Sequence, residues 1–271
     1  MNKTFFFMAG LPRSGSTLLS AILNQNPDIY ASPQTDLLQM MYLLDSNVAG
    51  FESYRAGINH DGYKNAIVNL GESFYANRSE QFIIDKNRAW GTPYNLNLAR
   101  LLNPEVRIIL PYRPIVEILA SFIRLARKNP EVNFIDRGLS SNDFYSSYYR
   151  TLDDARCDYL MRPNGEIDQA LLSLALSKEY PENFLLINYH DLISSPASIF
   201  SEIYKFLQIP EFTHTFKRLK QDERHLFDSE VFGIPDLHNI RSEIKSTSLK
   251  PESVLSDYVV NKYGQALDFL I

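Results

Sequence analysis

A short stretch near the N-terminus, from Gly10 to Thr17, carries the residue types that hold an anion. Its two glycines allow the backbone to approach a ligand closely and to adopt a positive φ. Arg13 adds a cation, and Ser16 and Thr17 add hydroxyl groups. Backbone N–H groups at the start of a helix attract phosphate through their partial positive charge. The stretch therefore predicts a phosphate-binding loop.

Apolar residues on both sides of this loop supply the elements that position it. Residues 5–8 form an apolar run short enough for a buried strand, and residues 18–23 carry apolar side chains at helical spacing. The sequence thus predicts a strand, a loop and a helix in that order.

The spacing of Gly10, Gly15 and Thr17 matches the P-loop signature G-x-x-x-x-G-K-[ST]. Ser16 occupies the position of the lysine, which normally reaches the β- and γ-phosphates of the nucleotide. The absence of this lysine argues against ordinary hydrolysis of ATP or GTP. We expect a nucleotide whose reactive group is not a γ-phosphoryl.

Residues 10–19, Gly-Leu-Pro-Arg-Ser-Gly-Ser-Thr-Leu-Leu, resemble the 5′-phosphosulfate-binding loop of the sulfotransferase family. The donor of that family is 3′-phosphoadenosine 5′-phosphosulfate (PAPS). The resemblance implies that the 5′-phosphosulfate is bound by Arg13, Ser14, Gly15, Ser16 and Thr17. The structural alternative is a tight strand-to-helix turn that binds nothing.

A second match lies after the predicted strand at residues 106–110. Sulfotransferases bind the 3′-phosphate of the donor with an arginine just after a strand and a serine eight positions further along. Arg113 and Ser121 keep that spacing. An arginine presents a planar fork of donors to phosphate, and a hydroxyl two helical turns away reaches the same side. The resemblance implies that this pair holds the 3′-phosphate.

Three further matches to the family are less specific. Asp85-Lys86, at the end of a predicted strand, matches an N/D-K motif in the protein-tyrosine branch, where the lysine contacts the sulfuryl group. Tyr189 with Pro196 resembles a segment whose tyrosine supports the adenosine. Lys245 resembles a donor-binding lysine on a flexible tail. The alternatives are solvated lysines and a tyrosine packed in the core.

The resemblance leaves the general base open. The tyrosine-sulfating branch places a glutamate after the second strand, but this chain has Gln34 there, which cannot take a proton at neutral pH. Asp36 is one candidate base, and His60 in the next predicted loop is another. The structural alternatives are a helix cap for Asp36 and a surface position for His60.

Composition sets limits on partners and location. The formal net charge of −5 gives no global basic field, so we expect no nucleic-acid partner and a strictly local anion site. A single cysteine, Cys157, agrees with a reducing compartment. No apolar run approaches the roughly 20 residues that span a bilayer. We expect a cytoplasmic protein without a membrane partner, and the histidine spacings predict no metal site.

Short apolar runs alternate with helical segments, which predicts a single α/β domain over residues 1–271. The expected architecture is a three-layer α/β/α arrangement with a central parallel sheet, and the resemblance implies the P-loop NTPase-like sulfotransferase fold. Residues 45–62 and 129–141 are predicted loops that carry acceptor specificity together with the C-terminal tail. Tyrosines in residues 144–149 are candidates to line an acceptor cleft.

The leading hypothesis is a PAPS-dependent sulfotransferase. A hydroxyl of a small molecule or peptide, or less favourably an amine, attacks sulfur and releases adenosine 3′,5′-bisphosphate, with Lys86 on the migrating group and no metal. One alternative is an ATP-dependent small-molecule kinase with a degenerate P-loop and Asp85 on Mg²⁺. Another is an inactive nucleotide-binding protein of the same fold, which the missing glutamate keeps open. The sequence names neither the acceptor nor the oligomeric state.

Overall fold

The computed structural model describes residues 3–141, 151–220, 228–235, 237–245, 250–268 and 270–271. Within them, five strands form one sheet in the order β2-β3-β1-β4-β5, and each neighbouring pair is parallel. The strands are β1 (Thr4–Met8), β2 (Ile29–Gln34), β3 (Phe82–Lys86), β4 (Ile108–Tyr112) and β5 (Phe184–Asn188). The predicted α/β class with a central parallel sheet is confirmed.

The helices precede, connect and follow these strands. In chain order the described residues form α1 (Ser16–Leu23), α2 (Leu37–Val48), α3 (Glu52–Arg55), α4 (His60–Phe74), α5 (Pro93–Leu102), α6 (Ile115–Lys128), α7 (Phe134–Ser140), α8 (Leu152–Leu160), α9 (Glu166–Glu179), α10 (Tyr189–Ser194), α11 (Pro196–Leu207), α12 (Asp228–Phe232) and α13 (Asp257–Tyr263). Of the helices in these residues, none is both long and apolar enough to cross a membrane.

The sheet is buried on both faces, because successive side chains of a strand point to opposite sides. Phe5 and Phe7 of β1 pack into one apolar core, and Phe6 and Met8 pack into the other. Helices α2, α4, α5, α6, α7, α8 and α9 contribute to the first core, whereas α1, α10 and α11 contribute to the second. Two helical layers around one sheet give the predicted three-layer arrangement.

The order of the strands places the site at the carboxyl ends of the central strands β3, β1 and β4. The chain leaves β1 toward β2 on one side and later returns to form β3 and β4 on either side of β1. Met8 at the end of β1 lies level with Lys86 of β3 and with Ile109 of β4. Ligands of open α/β sheets bind beyond the carboxyl ends of the strands where connections diverge. The segments after β1, β3 and β4 meet at that place.

The two predicted loops are largely helical, so these predictions were wrong. Residues 45–62 include the end of α2, all of α3 and the start of α4, and only Gly57, with φ +77°, has a left-handed backbone among the three glycines there. Residues 129–141 include α7, whose first turn is capped by the Asn133 side chain accepting from two backbone N–H groups. Asn133 is a good cap, and Ile135 and Leu139 are buried, which stabilises this short helix.

Other boundaries differ by smaller amounts. Strand β4 begins two residues later than predicted, and Tyr189 begins α10 directly after β5. The last α-helix in the described residues is α13. The tyrosines in residues 144–149, which are candidates to line an acceptor cleft, lie outside the described residues.

Candidate active site

The loop between β1 and α1 depends on two glycines with positive φ. Gly10 has φ +103°, and a Cβ there would overlap the backbone oxygen of Pro111 in β4. Gly15 has φ +95°, and a Cβ there would come within 2.9 Å of Leu192 Cδ2 in α10. Both positions therefore favour glycine for conformation, and Gly10 also requires it for space because the nearest atom belongs to the backbone of β4. The loop packs tightly between the ends of β4 and α10.

The Ser14 side chain connects the loop to the end of β4 by hydrogen bonds. Its side chain is completely buried, and its hydroxyl lies 2.5 Å from Leu11 O and 3.0 Å from Pro111 O, both acceptors. The cavity beside the loop is lined by Gly15, Ser16 and Thr17 but not by Ser14. The Ser14 side chain therefore stabilises the loop and does not line the cavity, whereas Ser16 and Thr17 line it.

Arg13 connects the loop to two distant parts of the chain. Its Nε donates to Ser121 Oγ on α6 at 3.2 Å, and its Nη1 donates to the carbonyl of Leu237. Burial, and then the charge of Arg113, lower the pKa of Arg13. Two residues predicted to bind opposite ends of the donor, Arg13 and Ser121, are therefore in direct contact.

Arg113, which follows β4, faces the loop. Its Nη1 donates to Arg13 O at 3.4 Å, and its Nε donates to Glu117 Oε2 at 2.8 Å. The guanidinium lies 4.2 Å from the centre of the Tyr189 ring, a cation–π contact. His190 Nε2 lies 2.9 Å from the second oxygen of Glu117. The Arg113 side chain is therefore buried, contacts Arg13, Glu117 and Tyr189, and points toward the loop after β1.

Lys86 ends β3 and lines the same cavity. Burial and then the charge of Arg88 lower the pKa of Lys86, the charge of Asp85 raises it, and the net result is a pKa of about 8. Its ammonium makes no hydrogen bond to the part of the chain that the structure describes. A buried cation without a fixed partner is suited to an anionic group of a ligand.

Asp85 precedes Lys86 in β3 and is completely buried. Trp90 Nε1 donates to Oδ1 at 2.7 Å, Thr35 Oγ1 donates to Oδ2 at 2.6 Å, and the Tyr75 hydroxyl also donates to Oδ2. Burial raises the pKa of Asp85. Both carboxylate oxygens are engaged by side chains, and Asp85 does not line the cavity. This arrangement disfavours the kinase alternative, which requires Asp85 as a Mg²⁺ ligand.

One cavity of about 820 Å³ joins these residues. Its lining includes many cations from different elements, namely Arg13, Lys86, Arg88, Arg113, Arg124, Lys128, Arg241 and Lys245. The carboxylate in this lining is Glu243, whose Oε2 lies 3.3 Å from Lys245 Nζ. Because the chain has a net charge of −5, the sequence predicted that an anion site must be a local cluster of positive charges, and this lining is such a cluster. It attracts a ligand with more than one negative charge.

Several cations of this cavity were missed in the sequence. Arg124 and Lys128 lie three and seven residues after Ser121 on α6, a helical spacing that places the three on neighbouring positions and could have revealed them. Arg88 follows β3, and Arg241 lies in the tail. No local pattern connects these last two, because only the fold brings them together.

The two predicted bases lie away from the cavity lining. Asp36 is exposed at the N-cap position of α2 and makes no capping hydrogen bond. His60 is exposed at the start of α4, with Nε2 2.7 Å from Tyr54 O and its ring stacked on Tyr54. Gln34, in the position where a branch of the family has glutamate, does line the cavity.

The residues predicted from separate motifs therefore share one site. Arg13, Lys86, Arg113, Ser121 and Lys245 line the cavity together with Tyr189. Within the tail, Leu219 N donates to Ser242 O at 2.8 Å, next to the lining residues Arg241 and Glu243. A glycine loop after β1, without the usual lysine, and an arginine after β4 define an α/β protein of the P-loop class.

Sequence comparison gives the family. A sequence model of the sulfotransferase family matches residues 6–214, and the chain belongs to this family. Comparison with curated proteins gave no match.

Solved structures agree with this fold. The sulfotransferase domain from the curacin biosynthetic pathway is 15% identical, with a TM-score of 0.52 over 100% of this chain and 92% of that domain. The sulfotransferase domain of the Synechococcus PCC 7002 olefin synthase is 16% identical, with a TM-score of 0.51 over 98% of this chain and 95% of that domain. Sulfotransferase STF9 from Mycobacterium avium is 12% identical, with a TM-score of 0.51 over 99% of this chain and 77% of that protein. At these identities the similarity concerns the fold.

Proposed function

We propose that this sulfotransferase moves a sulfuryl group from PAPS to a hydroxyl group, with an amine as the less favoured acceptor. The observation that carries the proposal is the contact between the two predicted anion sites. Arg113 donates to the backbone of Arg13, and Arg13 donates to Ser121, so both sites face one cationic cavity. A nucleotide with phosphate groups at its 5′ and 3′ positions has the charge that this cavity attracts.

The residues of the cavity fit such a donor. Arg13, with the backbone and hydroxyls of residues 15–17, would hold the 5′-phosphosulfate, and Arg113 with Ser121 would hold the 3′-phosphate. Tyr189 packs against Arg113 and would support the adenosine side. The donor supplies an electrophilic sulfur when bound. The chain contributes position and fixed positive charge, above all from Lys86, where negative charge develops.

Ligand stabilisation tests the choice of nucleotide. Adenosine 3′,5′-bisphosphate at about 100 times its Kd should stabilise the protein by about 2.7 kcal/mol, whereas Mg·ATP should have little effect. The measurement is thermal unfolding with each ligand at several concentrations. Stabilisation by Mg·ATP alone would reject the proposal in favour of the kinase alternative.

The 3′-phosphate assignment is tested by Arg113→Ala. Loss of charge-assisted hydrogen bonds worth about 1.5–3 kcal/mol should weaken the bisphosphate roughly 10- to 150-fold. Binding of adenosine 5′-phosphate should change much less, because it lacks the 3′ group. Arg100→Ala on α5, an exposed arginine bonded to Asn97, is the matched control in calorimetric titrations. Equal losses for both nucleotides would remove Arg113 from this role.

The inactive alternative has one observation in its favour, since Gln34 and not a carboxylate lines the cavity near Lys86. It predicts tight binding of the bisphosphate with no sulfated product across phenols, alcohols, amines and tyrosine peptides. Incubation with PAPS and detection of the mass added by a sulfuryl group distinguishes this alternative from the active enzyme.

A further inference from the structure

Two cations of the cavity, Arg124 and Lys128, have no role in the proposed binding of the donor. They lie on α6, three and seven residues after Ser121, and both line the cavity with exposed side chains. Within the residues that the structure describes, neither makes a hydrogen bond, an ion pair or a cation–π contact. In contrast, Arg127 of the same helix does not line the cavity and lies 2.8 Å from Asp153.

The positive charge of the cavity exceeds the negative charge that the donor brings. In the described part of the chain, eight arginine and lysine side chains line the cavity together with the carboxylate of Glu243, and a second carboxylate, Glu117, pairs with Arg113. The donor carries about four negative charges, of which its terminal 3′-phosphate supplies about two. Eight cations against two carboxylates and the donor leave an excess of about two positive charges. Arg124 and Lys128 account for this excess.

These two cations lie further along α6 than the predicted donor site. Ser121 accepts from Arg13 of the loop, and a rise of about 1.5 Å per residue places the backbone of Lys128 about 10 Å beyond Ser121. The same part of α6 contributes Phe122 and Leu125 to the lining. Other helices add further apolar side chains, namely Phe134, Leu160, Ile167 and Phe232. Apolar walls with a few polar groups suit a ligand that has an apolar body and one charged group.

We propose that Arg124 and Lys128 bind an anionic group of the acceptor, which is a hydroxyl compound with an apolar body and a carboxylate or phosphate. This inference rests on the proposed function and names its acceptor class. The Arg124 guanidinium offers paired N–H donors to a carboxylate or phosphate, and Lys128 adds a point charge. Because the two residues are four positions apart on one helix, they reach the same ligand group.

The anionic group binds and does not react. In the transfer, the acceptor oxygen forms a bond to sulfur while the bond between sulfur and the phosphate oxygen of the donor breaks. The electron pair of that bond stays on the departing bisphosphate, and the proton of the acceptor hydroxyl leaves to solvent. Contacts to a group remote from sulfur act equally in the ground state and the transition state, so they should change KM for the acceptor more than kcat.

The test compares acceptors that differ in charge and share one aliphatic body. With PAPS as donor, the series runs from 6-hydroxyhexanoate to 12-hydroxydodecanoate, each beside its neutral methyl ester and the hydroxyalkyl phosphate of equal length. At the length that fits the cavity, kcat/KM of the wild-type enzyme should be about 10-fold or more higher for an anionic acceptor than for the ester. The ratio between carboxylate and phosphate identifies the preferred anion.

A double variant assigns this preference to the two side chains. Arg124→Gln/Lys128→Gln should raise KM for the anionic acceptor about 10- to 100-fold and change KM for the ester less than about threefold. Arg100→Gln/Lys205→Gln removes one arginine and one lysine that are exposed outside the cavity lining, and it is the matched control. Calorimetry should give both variants an affinity for adenosine 3′,5′-bisphosphate within about threefold of the wild-type value, because solvent and salt screen distant charges.

The outcomes separate this inference from the function on which it rests. Equal kcat/KM of charged and neutral acceptors at every chain length would overturn it, as would equal losses for both in the Arg124/Lys128 variant. A large loss of bisphosphate affinity in that variant would assign the two cations to the donor and also overturn it. A wild-type enzyme that binds the bisphosphate but sulfates no member of the series would reject the acceptor class. Failure of the wild-type enzyme to bind the bisphosphate would reject the proposed function itself.

Discussion

The lowered pKa of Lys86 makes the affinity for the donor product depend on pH. Burial and the nearby charge of Arg88 lower this pKa to about 8, so Lys86 is charged at pH 7 and mostly neutral at pH 9. A bound anion stabilises the charged form of Lys86, so at pH 9 the neutral lysine must take up a proton from solvent when the ligand binds. The affinity therefore decreases as pH rises through 8.

The size of this effect follows from the titration of a single group. Above its pKa in the free enzyme, each further pH unit reduces the charged fraction about tenfold, and Kd rises by the same factor. Adenosine 3′,5′-bisphosphate should thus bind about tenfold more weakly at pH 9 than at pH 7. The phosphates of the ligand are nearly fully ionised over this range, because their second pKa is about 6.

Isothermal titration calorimetry in buffers of different ionisation enthalpy measures both Kd and the proton uptake. Lys86→Met should bind more weakly at pH 7 and lose most of the pH dependence, whereas Lys86→Arg should stay charged throughout. Lys64→Met, which removes an exposed lysine of α4, is the control and should behave as the wild-type protein. A wild-type Kd that stays constant between pH 7 and 9 would refute the role of Lys86 in anion binding.

Three further predictions concern stability. Lys86→Met should stabilise the protein at pH 7 by up to about 3 kcal/mol, because the lowered lysine pKa, from 10.5 to about 8, reflects the cost of burying the charge. In urea unfolding, the variant should have the higher free energy of unfolding at pH 7, and this difference should disappear above pH 10. Tyr75→Phe removes one donor to the buried carboxylate of Asp85 and should reduce the free energy of unfolding by about 1–3 kcal/mol in the same assay. Gly10→Ala should lower Tm and abolish bisphosphate binding, since the new Cβ would overlap the backbone of β4. Gly57→Ala, which has positive φ but no atom within 4 Å of the Cβ, should cost only about 1 kcal/mol of strain and keep binding intact.

Local patterns predicted the first part of the site well. The apolar run, the glycine loop and the helical spacing up to residue 23 lie within one continuous stretch, so their order can be read from neighbouring residues, although the loop also packs against Pro111 and Leu192. Arg113 and Ser121 were recognised because their spacing resembles that of the sulfotransferase family, and in the structure Arg113 follows β4 whereas Ser121 lies on α6. Residues 45–62 were misread because glycine and asparagine were taken as breakers, although Gly50 and Gly62 adopt ordinary negative φ values.

The sequence by itself determined the parallel α/β class and the position of the glycine loop after β1, since both rest on short-range periodicity and spacing, and the family resemblance indicated the arginine after β4. The tertiary structure decided which charges share the cavity, that Asp85 is enclosed by Tyr75 and Trp90, and that Asp36 and His60 do not line the cavity. Long-range contacts have no local signature, because the free energy of packing a side chain depends on elements that the chain brings together only when it folds.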